Sequence, residues 1–285
     1  MFFARPKLTA RPATGADRDV IAALARFERR VHTHLDWRPV EGWLGAQPFF
    51  LAEQGRRVMG ALACPPDPPD TAWVRLLALA DQVSADEIWD LLWGVALPAL
   101  TQLGARGAAG LSTGQWMKPL YAAARFEHTH NVVVLIRARQ PLAPAPETPA
   151  RIRAARPDDY AQLVEIDWAA FEPPWQLSPQ MVGAALAQGD LITVAEAAGR
   201  IVGYQLSTPN RSGAHLARLA VRPEWQGRGI GTALTAHMID HYQGRGALEL
   251  SVNTQDSNLA SLRVYGRLGF QPSGVRYPVF QLSLA

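Results

Sequence analysis

The sequence predicts an α/β (α+β) chain of two tandem domains, each a mixed central sheet with helices on both faces. Three observations lead there. First, the Pro-rich stretch Pro141-Leu142-Ala143-Pro144-Ala145-Pro146-Glu147-Thr148-Pro149-Ala150 divides the 285 residues into near-equal halves. Its prolines favour an extended, semi-rigid spacer. Second, the halves resemble each other at an offset of 142 to 144 residues. Arg11 and Asp17 match Arg153 and Asp159, Arg57-Val58-Met59-Gly60 matches Arg200-Ile201-Val202-Gly203, and Tyr121 and Phe126 match Tyr265 and Phe270. Three matches in order point to a duplication. Third, short apolar runs alternate with segments of helical period, the pattern of a sheet with helices packed on it. The expected boundaries are a domain over 1–140, a linker over 141–150 and a domain over 151–285.

Element by element, the second half reads as strands at Arg151–Ala154, Leu191–Ala195, Ile201–Thr208, Ala214–Val221, Ala247–Asn253 and Pro278–Leu284. Its helices are expected at Pro157–Phe171, Pro179–Ala187, Gly229–Gln243 and Asn258–Leu268. The first half is expected to repeat that order, with two helices after its first strand.

Between the strand ending at Val221 and the helix carrying Leu234, Met238 and Tyr242 lies Gln226-Gly227-Arg228-Gly229-Ile230-Gly231. Glycines at alternate positions let the backbone approach a ligand and adopt positive φ. At a helix N-terminus, free N–H groups and the positive end of the dipole make an anion site, here suited to a pyrophosphate. The corresponding first-half segment, Asp81 to Ile88, has no glycine. Its Ser84 and Glu87 form a capping box, and Asp86 and Glu87 repel anions. One anion site, not two, is expected.

Composition narrows the classes. At 48% hydrophobic and 19% charged residues the chain can bury full cores. A net charge of +3 admits an anionic ligand but does not argue for nucleic acid. The single cysteine, Cys64, excludes an internal disulfide and a cysteine-cluster metal site. No apolar leader is read at Met1–Pro6, and the longest apolar run, Leu91 to Leu100, is too short for a bilayer and contains Pro98. A cytoplasmic protein without membrane or nucleic-acid partner, monomeric or a weak homodimer, is the expectation.

Two stretches of the second half, Leu219-Ala220-Val221-Arg222-Pro223-Glu224-Trp225-Gln226-Gly227-Arg228-Gly229-Ile230-Gly231 and Asn258 through Tyr265 to Phe270, resemble the GCN5-related N-acetyltransferases (GNAT superfamily). The resemblance covers Arg151 to Leu284 and reaches the first half in outline only, as in two-domain members with a degenerate N-terminal half. It implies acetyl-CoA as cofactor, CoA as product and no metal. Backbone amides of Gln226 through Gly231 would hold the pyrophosphate. Leu219, Ala220 and Val221 would line the pantetheine arm through their main chains, Asn258 would hydrogen-bond it, and Tyr265 would sit near the sulfur.

Acetyl transfer needs a neutral amine. A lysine-like amine of pKa about 10.4 costs roughly 4.6 kcal/mol to deprotonate at pH 7, an α-amine of pKa about 7.8 only about 1 kcal/mol. A base is thus nearly obligatory for the first acceptor, and the leaving thiolate needs a proton. Tyr265, seven residues after Asn258 and two turns along one helix face, is the general-acid candidate. His215, six residues ahead of Val221, and Glu249 are the candidate bases, His215 able to act near neutrality. Ser251 stands where ribosomal-protein-acetylating members carry a glutamate, and serine is a poor base. Deprotonation through water with no single base stays open.

The turn after the first helix, Asp167 to Trp175 with Phe-Glu-Pro-Pro-Trp at its end, bears a faint likeness to those same ribosomal-protein enzymes. Asp167 and Glu172 are candidate attractors for a cationic substrate amine, and Trp175 a candidate wall. The pairs His32/His34 and His128/His130 lack carboxylate or cysteine partners at ligand spacing, so no metal site is read. Six of nine tryptophans fall in the first half and read as core or interface. The expected function is acetyl-CoA-dependent acetyl transfer to a primary amine of a small molecule or peptide, in a direct ternary complex. The alternative is a non-catalytic acyl-CoA-binding sensor or scaffold. A dinucleotide oxidoreductase fails on Leu234, which stands where its third glycine belongs.

Overall fold

A computed structural model of the chain describes residues 6–142, 144 and 146–284. The readings at Met1–Arg5 and at linker residues Ala143 and Ala145 lie outside them. The chain forms two compact units, residues 1–129 with 278–285, and residues 130–277.

In the first unit, β1 (Leu8–Pro12), α1 (Arg18–Phe27), β2 (Arg30–Thr33), β3 (Phe49–Gln54), β4 (Arg57–Ala63), β5 (Thr71–Trp73), β6 (Leu76–Leu79), α2 (Ala85–Gln102), β7 (Gly107–Leu111), α3 (Met117–Ala123) and the start of β8 (Glu127–Ala138) follow one another. One sheet has the order β1-β3-β4-β6-β2. The second helix expected here is absent. Pro39, Gly42 and Gly45 interrupt any helical run, and only a short turn at Val40–Trp43 forms. The residues before it, Arg30-Val31-His32-Thr33, take an edge position against β6. Ser84 caps α2, accepting from the Glu87 amide at 3.5 Å, but among the described residues the reciprocal Glu87 bond of the expected capping box does not form.

The second unit continues with β9 (Arg151–Ala154), α4 (Tyr160–Ala170), α5 (Pro179–Gln188), β10 (Leu191–Ala197), β11 (Arg200–Asn210), β12 (Gly213–Val221), α6 (Ile230–Gly244), β13 (Glu249–Gln255), α7 (Leu259–Arg267) and β14 (Gln271–Ser283). Its sheet runs β8-β13-β12-β11-β10-β9. Leu163 and Ile166 of α4 are buried, and α4 packs on β11 and β12. From the other face, Ile230 and Leu234 of α6 pack on Ala195 and Val202. Met238 and Ile239 join Leu216, Leu250, Val252, Tyr265 and Phe270. Each such apolar side chain contributes roughly 1.5–3 kcal/mol on burial.

The spatial units depart from the expected sequence boundaries because the halves exchange strands. Residues 132–138 of β8, from the first half, pair with β13 in the second unit. Residues 279–283 of β14 pair with β7 in the first. Hydrophobic pattern fixes which residues form a strand, not which neighbour it joins.

The duplication is written into partly buried ion pairs. Arg11 donates to Asp17 at 2.8 Å and to Glu53 at 2.9 Å, and Arg153 donates to Asp159 at 2.7 Å and to Glu196 at 2.7 Å. A bulge precedes Glu53 in β3 and Glu196 in β10.

Candidate active site

The site begins with a fork in the second unit's sheet. β12 pairs in parallel with β13 only from Gly213↔Glu249 to Leu216↔Val252. Beyond Leu216 it keeps its partner β11 but, among the described residues, has none on the β13 side. A bulge opposite Leu206 and Ser207 adds one residue, Ala217, and reverses the alternation of faces. His215 and Arg218, three apart, therefore share the α4 face, while Leu216 and Leu219 turn to the α6 side.

The open edge of β12 carries Leu219, the buried Ala220 and Val221, and leads into the glycine loop. Gly227 and Gly229 hold φ of +75° and +77°, values that side chains resist. Among the described residues, no backbone carbonyl is recorded as accepting from the amides of Gly227 to Thr232. The last three of these are the ordinary orphan donors of a helix start. Gln226 braces the loop by donating to the Val221 carbonyl at 3.0 Å, and Arg228 donates to the Glu224 carbonyl at 3.2 Å and lies over the Trp225 ring. A groove of about 650 Å³ opens here between Gly227, Arg228, Gly229, Arg267 and the linker prolines. Free amides, two arginines and an open strand edge fit a long anionic thioester such as acetyl-CoA.

The acid and base candidates occupy opposite faces of the sheet. Tyr265 lies in the α6–α7 core, its ring 5.9 Å from that of Phe270. Burial pushes its phenol up to about 12, and the Ser261 hydroxyl, one turn earlier, eases the shift. The group therefore stays protonated at neutral pH, as an acid must. His215 lies in line with Ser251 across the last turns of pairing before the fork. Its Nδ1 is 2.9 Å from Ser251 Oγ and its Nε2 3.0 Å from Asn253 Oδ1. Burial lowers its pKa and the Asn253 bond opposes that, so the imidazole is neutral at pH 7. Glu249 is half-buried two residues before Ser251, roughly 7 Å further from the fork.

Asn258 is the N-cap of α7, its Oδ1 accepting from the Ser261 amide at 3.1 Å, while its amide nitrogen donates to Gln255 at 3.5 Å. Asp167 is fully buried and committed. It accepts from Tyr204 at 2.6 Å and from Arg218 through two bonds of 2.7 Å. It therefore offers no free carboxylate to a substrate. Arg218 also donates to the Trp175 carbonyl at 2.8 Å and stacks 3.6 Å over Phe171, tying the turn after α4 to β12. Glu172 is exposed in that turn, and the Trp175 ring stands 5.6 Å from that of His130. Sequence reasoning missed Arg218 and Tyr204. The available signal was a lone arginine inside an apolar strand, which demands a buried partner.

The first unit lacks this arrangement. There β2 pairs with Leu76–Leu79 of β6, the counterpart of Arg218–Val221, so the chain's own strand fills the edge that stays open in the second unit. Trp73 stands at the position matching His215, and Ala109 at that matching Ser251. Both nitrogens of His32 are engaged, by Thr113 and the Val74 carbonyl, each at 3.1 Å. Burial drives the Cys64 thiol up to about 12 and makes it a poor nucleophile. Among the described residues no cluster of three His, Cys, Asp or Glu could hold a metal ion, and no helix is long and apolar enough to cross a membrane.

A fork in the sheet, a glycine loop at a helix start and a buried tyrosine beyond it make up the candidate site. The acetyltransferase (GNAT) family matches residues 160–270. An uncharacterized N-acetyltransferase of Methanocaldococcus jannaschii is 32% identical over 121 residues, 42% of this chain and 77% of that one. A mycothiol acetyltransferase of Tsukamurella paurometabola is 30% identical over 196 residues, 60% of this chain and 66% of that one. A tandem GNAT protein from the clavulanic acid biosynthesis pathway superposes with a TM-score of 0.65 at 19% identity, covering 98% of this chain and 99% of the other, a likeness of fold. The chain belongs to the GNAT acetyltransferase family and has its tandem fold.

Proposed function

We propose that the chain is an acetyl-CoA-dependent N-acetyltransferase with one working acyl-CoA site, in the second unit. It transfers an acetyl group to a primary amine of a small molecule or peptide by direct attack in a ternary complex. His215 takes the proton of the amine and Tyr265 returns one to the departing sulfur. The observation that carries this reading is the edge of β12 running into the amides of Gly227 to Thr232, both unpaired with backbone among the described residues. The closed counterpart in the first unit supports a single site. The amide side of Asn258 and the main chains of Leu219 to Val221 are assigned to the pantetheine arm. Glu172 and Trp175 are assigned to the acceptor end.

Calorimetry with acetyl-CoA is expected to give one site per chain; two sites would refute the closure of the first. Thiol release with N-terminal peptides, lysine peptides, polyamines and aminoglycosides then names the acceptor class. Binding without thiol release from any class would favour a non-catalytic acyl-CoA binder. Gly229→Ala forces a side chain into left-handed backbone, which costs roughly 1–2 kcal/mol. It should raise KM for acetyl-CoA about tenfold and leave the acceptor KM unchanged.

A further inference from the structure

We propose that Ser251 relays the substrate's proton to His215, and that Asn253 fixes the imidazole in the tautomer this requires. The inference rests on the reading of His215 as the base. Neither nitrogen of the ring is open: Nδ1 meets Ser251 Oγ at 2.9 Å and Nε2 meets Asn253 Oδ1 at 3.0 Å. A proton can therefore reach the ring only through one of these partners. The carbonyl oxygen of Asn253 is an acceptor with no proton to pass on. As an acceptor it requires the N–H on Nε2, and a neutral imidazole carries only one. Nδ1 is thus bare and accepts the Ser251 hydroxyl proton. The serine oxygen retains lone pairs for an incoming N–H.

The placement supports the relay. His215 and Ser251 are paired across β12 and β13 one residue before the fork. Ser251 and Asn253 lie two apart on one strand face. That face is opposite the α6–α7 core, which takes Leu250 and Val252. Ser251 is half-buried and Asn253 exposed, so the group is reachable from solvent.

The step balances as follows. An ammonium gives a proton to Ser251 Oγ while the Ser251 hydroxyl proton passes to His215 Nδ1. The amine is then neutral, the serine again a hydroxyl and the histidine an imidazolium. The amine lone pair forms the N–C bond to the thioester carbonyl, the C–S bond breaks, and the sulfur leaves with the electron pair. The second nitrogen proton replaces the one the thiolate receives, and the imidazolium discharges to water. The products are amide, thiol and one proton.

Two measurements on the full chain test this. Histidine labelled with ¹⁵N should report the Nε2–H tautomer for His215, and the Nδ1–H tautomer would overturn the relay. For kinetics, n-propylamine serves as a probe that is charged at pH 7 and hydroxylamine as one that is largely neutral. Ser251→Ala should lower kcat/KM for propylamine about a hundredfold and leave hydroxylamine nearly unaffected. Ser251→Thr, which keeps the hydroxyl, should restore most of the loss. The Ser251→Ala/His215→Ala double variant should be no slower than either single one, since both act on one path. Asn253→Asp should shift the acidic limb of the pH profile upward, because a carboxylate favours the imidazolium. Loss of activity in His215→Ala with Ser251→Ala unimpaired would leave the base in place and sink the relay. Wild-type rates and an unmoved acidic limb in both would remove the base reading itself.

Discussion

Tyr265 owes its protonation state to where its ring is packed. It is buried among Leu268, Phe270 and the α6 core, and its phenol is held near 12, so at neutral pH it carries a proton to give. Removal of the hydroxyl alone leaves the packing and the anion loop intact. Tyr265→Phe is therefore expected to lower kcat about a hundredfold while the calorimetric Kd for acetyl-CoA stays constant. An unchanged kcat would remove the acid role. His215 differs because its pKa is depressed: the base form is present above its pKa and lost as pH falls through it. The acidic limb of kcat/KM should inflect below 6.5, the ordinary histidine value. It should vanish in His215→Ala, and a limb that persists there belongs to another group.

The elements matter through how they are tied. Arg218 and Asp167 bind β12 to α4, and Arg218 also holds the Trp175 carbonyl, so the turn assigned above to the acceptor end is anchored to the strand assigned to the acyl-CoA arm. Breaking a buried pair by removing one partner costs roughly 3–5 kcal/mol. Arg218→Met should lower Tm by several degrees and raise the KM of the acceptor well above that of acetyl-CoA. A parallel rise of both would indicate general loosening. In these elements the sequence was largely legible. The expected strand Arg151–Ala154 is β9, and the expected helices at Pro179–Ala187 and Gly229–Gln243 fall within a residue of α5 and α6. Their periodicity and caps are local. The missing second helix of the first half was obscured because Arg30–Thr33 is a strand only by virtue of the β6 edge it joins. The exchange of β8 and β14 is likewise a choice of partner that no pattern within either segment encodes. The glycine loop was legible because its φ values demand glycine. The Ser251–His215–Asn253 contacts were not, because they depend on the register between two strands 36 residues apart in the chain.

At the scale of the whole molecule the first unit should lose stability in acid ahead of the second, where His215 and His241 are depressed with the same sign. The first unit buries a polar group built from His32, His34, Asp36 and Arg75, against Trp43 and Trp73. Burial pulls His32 down to about 4, and burial together with Arg75 pulls His34 well below the usual range. Among the described residues, the Nδ1 of His34 has no hydrogen-bond partner. The sign follows from linkage. Unfolded histidines take up protons below about 6.5 while the folded ones do not. Stability is thus full above that pH and falls as pH drops toward about 4 for His32 and further for His34. At pH 5 the loss is roughly 2 kcal/mol per imidazole, at about 1.4 kcal/mol for each unit between the two states. Asp36, raised by burial, works with the opposite sign, adding stability as pH falls through its raised folded pKa. The carboxylates of Asp17 and Asp159 are depressed by their arginines and add their own loss only below the usual carboxylate pKa. Six of the nine tryptophans lie in residues 1–140, so fluorescence-monitored guanidinium unfolding reports chiefly on this unit. Its midpoint should fall steadily from pH 7 to pH 5, with hydrogen exchange accelerating, after correction for intrinsic rates, in peptides of residues 8–126 before those of 151–270. Replacing His34 with Phe, which needs no hydrogen bond, should flatten that dependence by about half. A midpoint that stays level between pH 7 and pH 5 would mean that these two imidazoles titrate alike in the folded and unfolded chain.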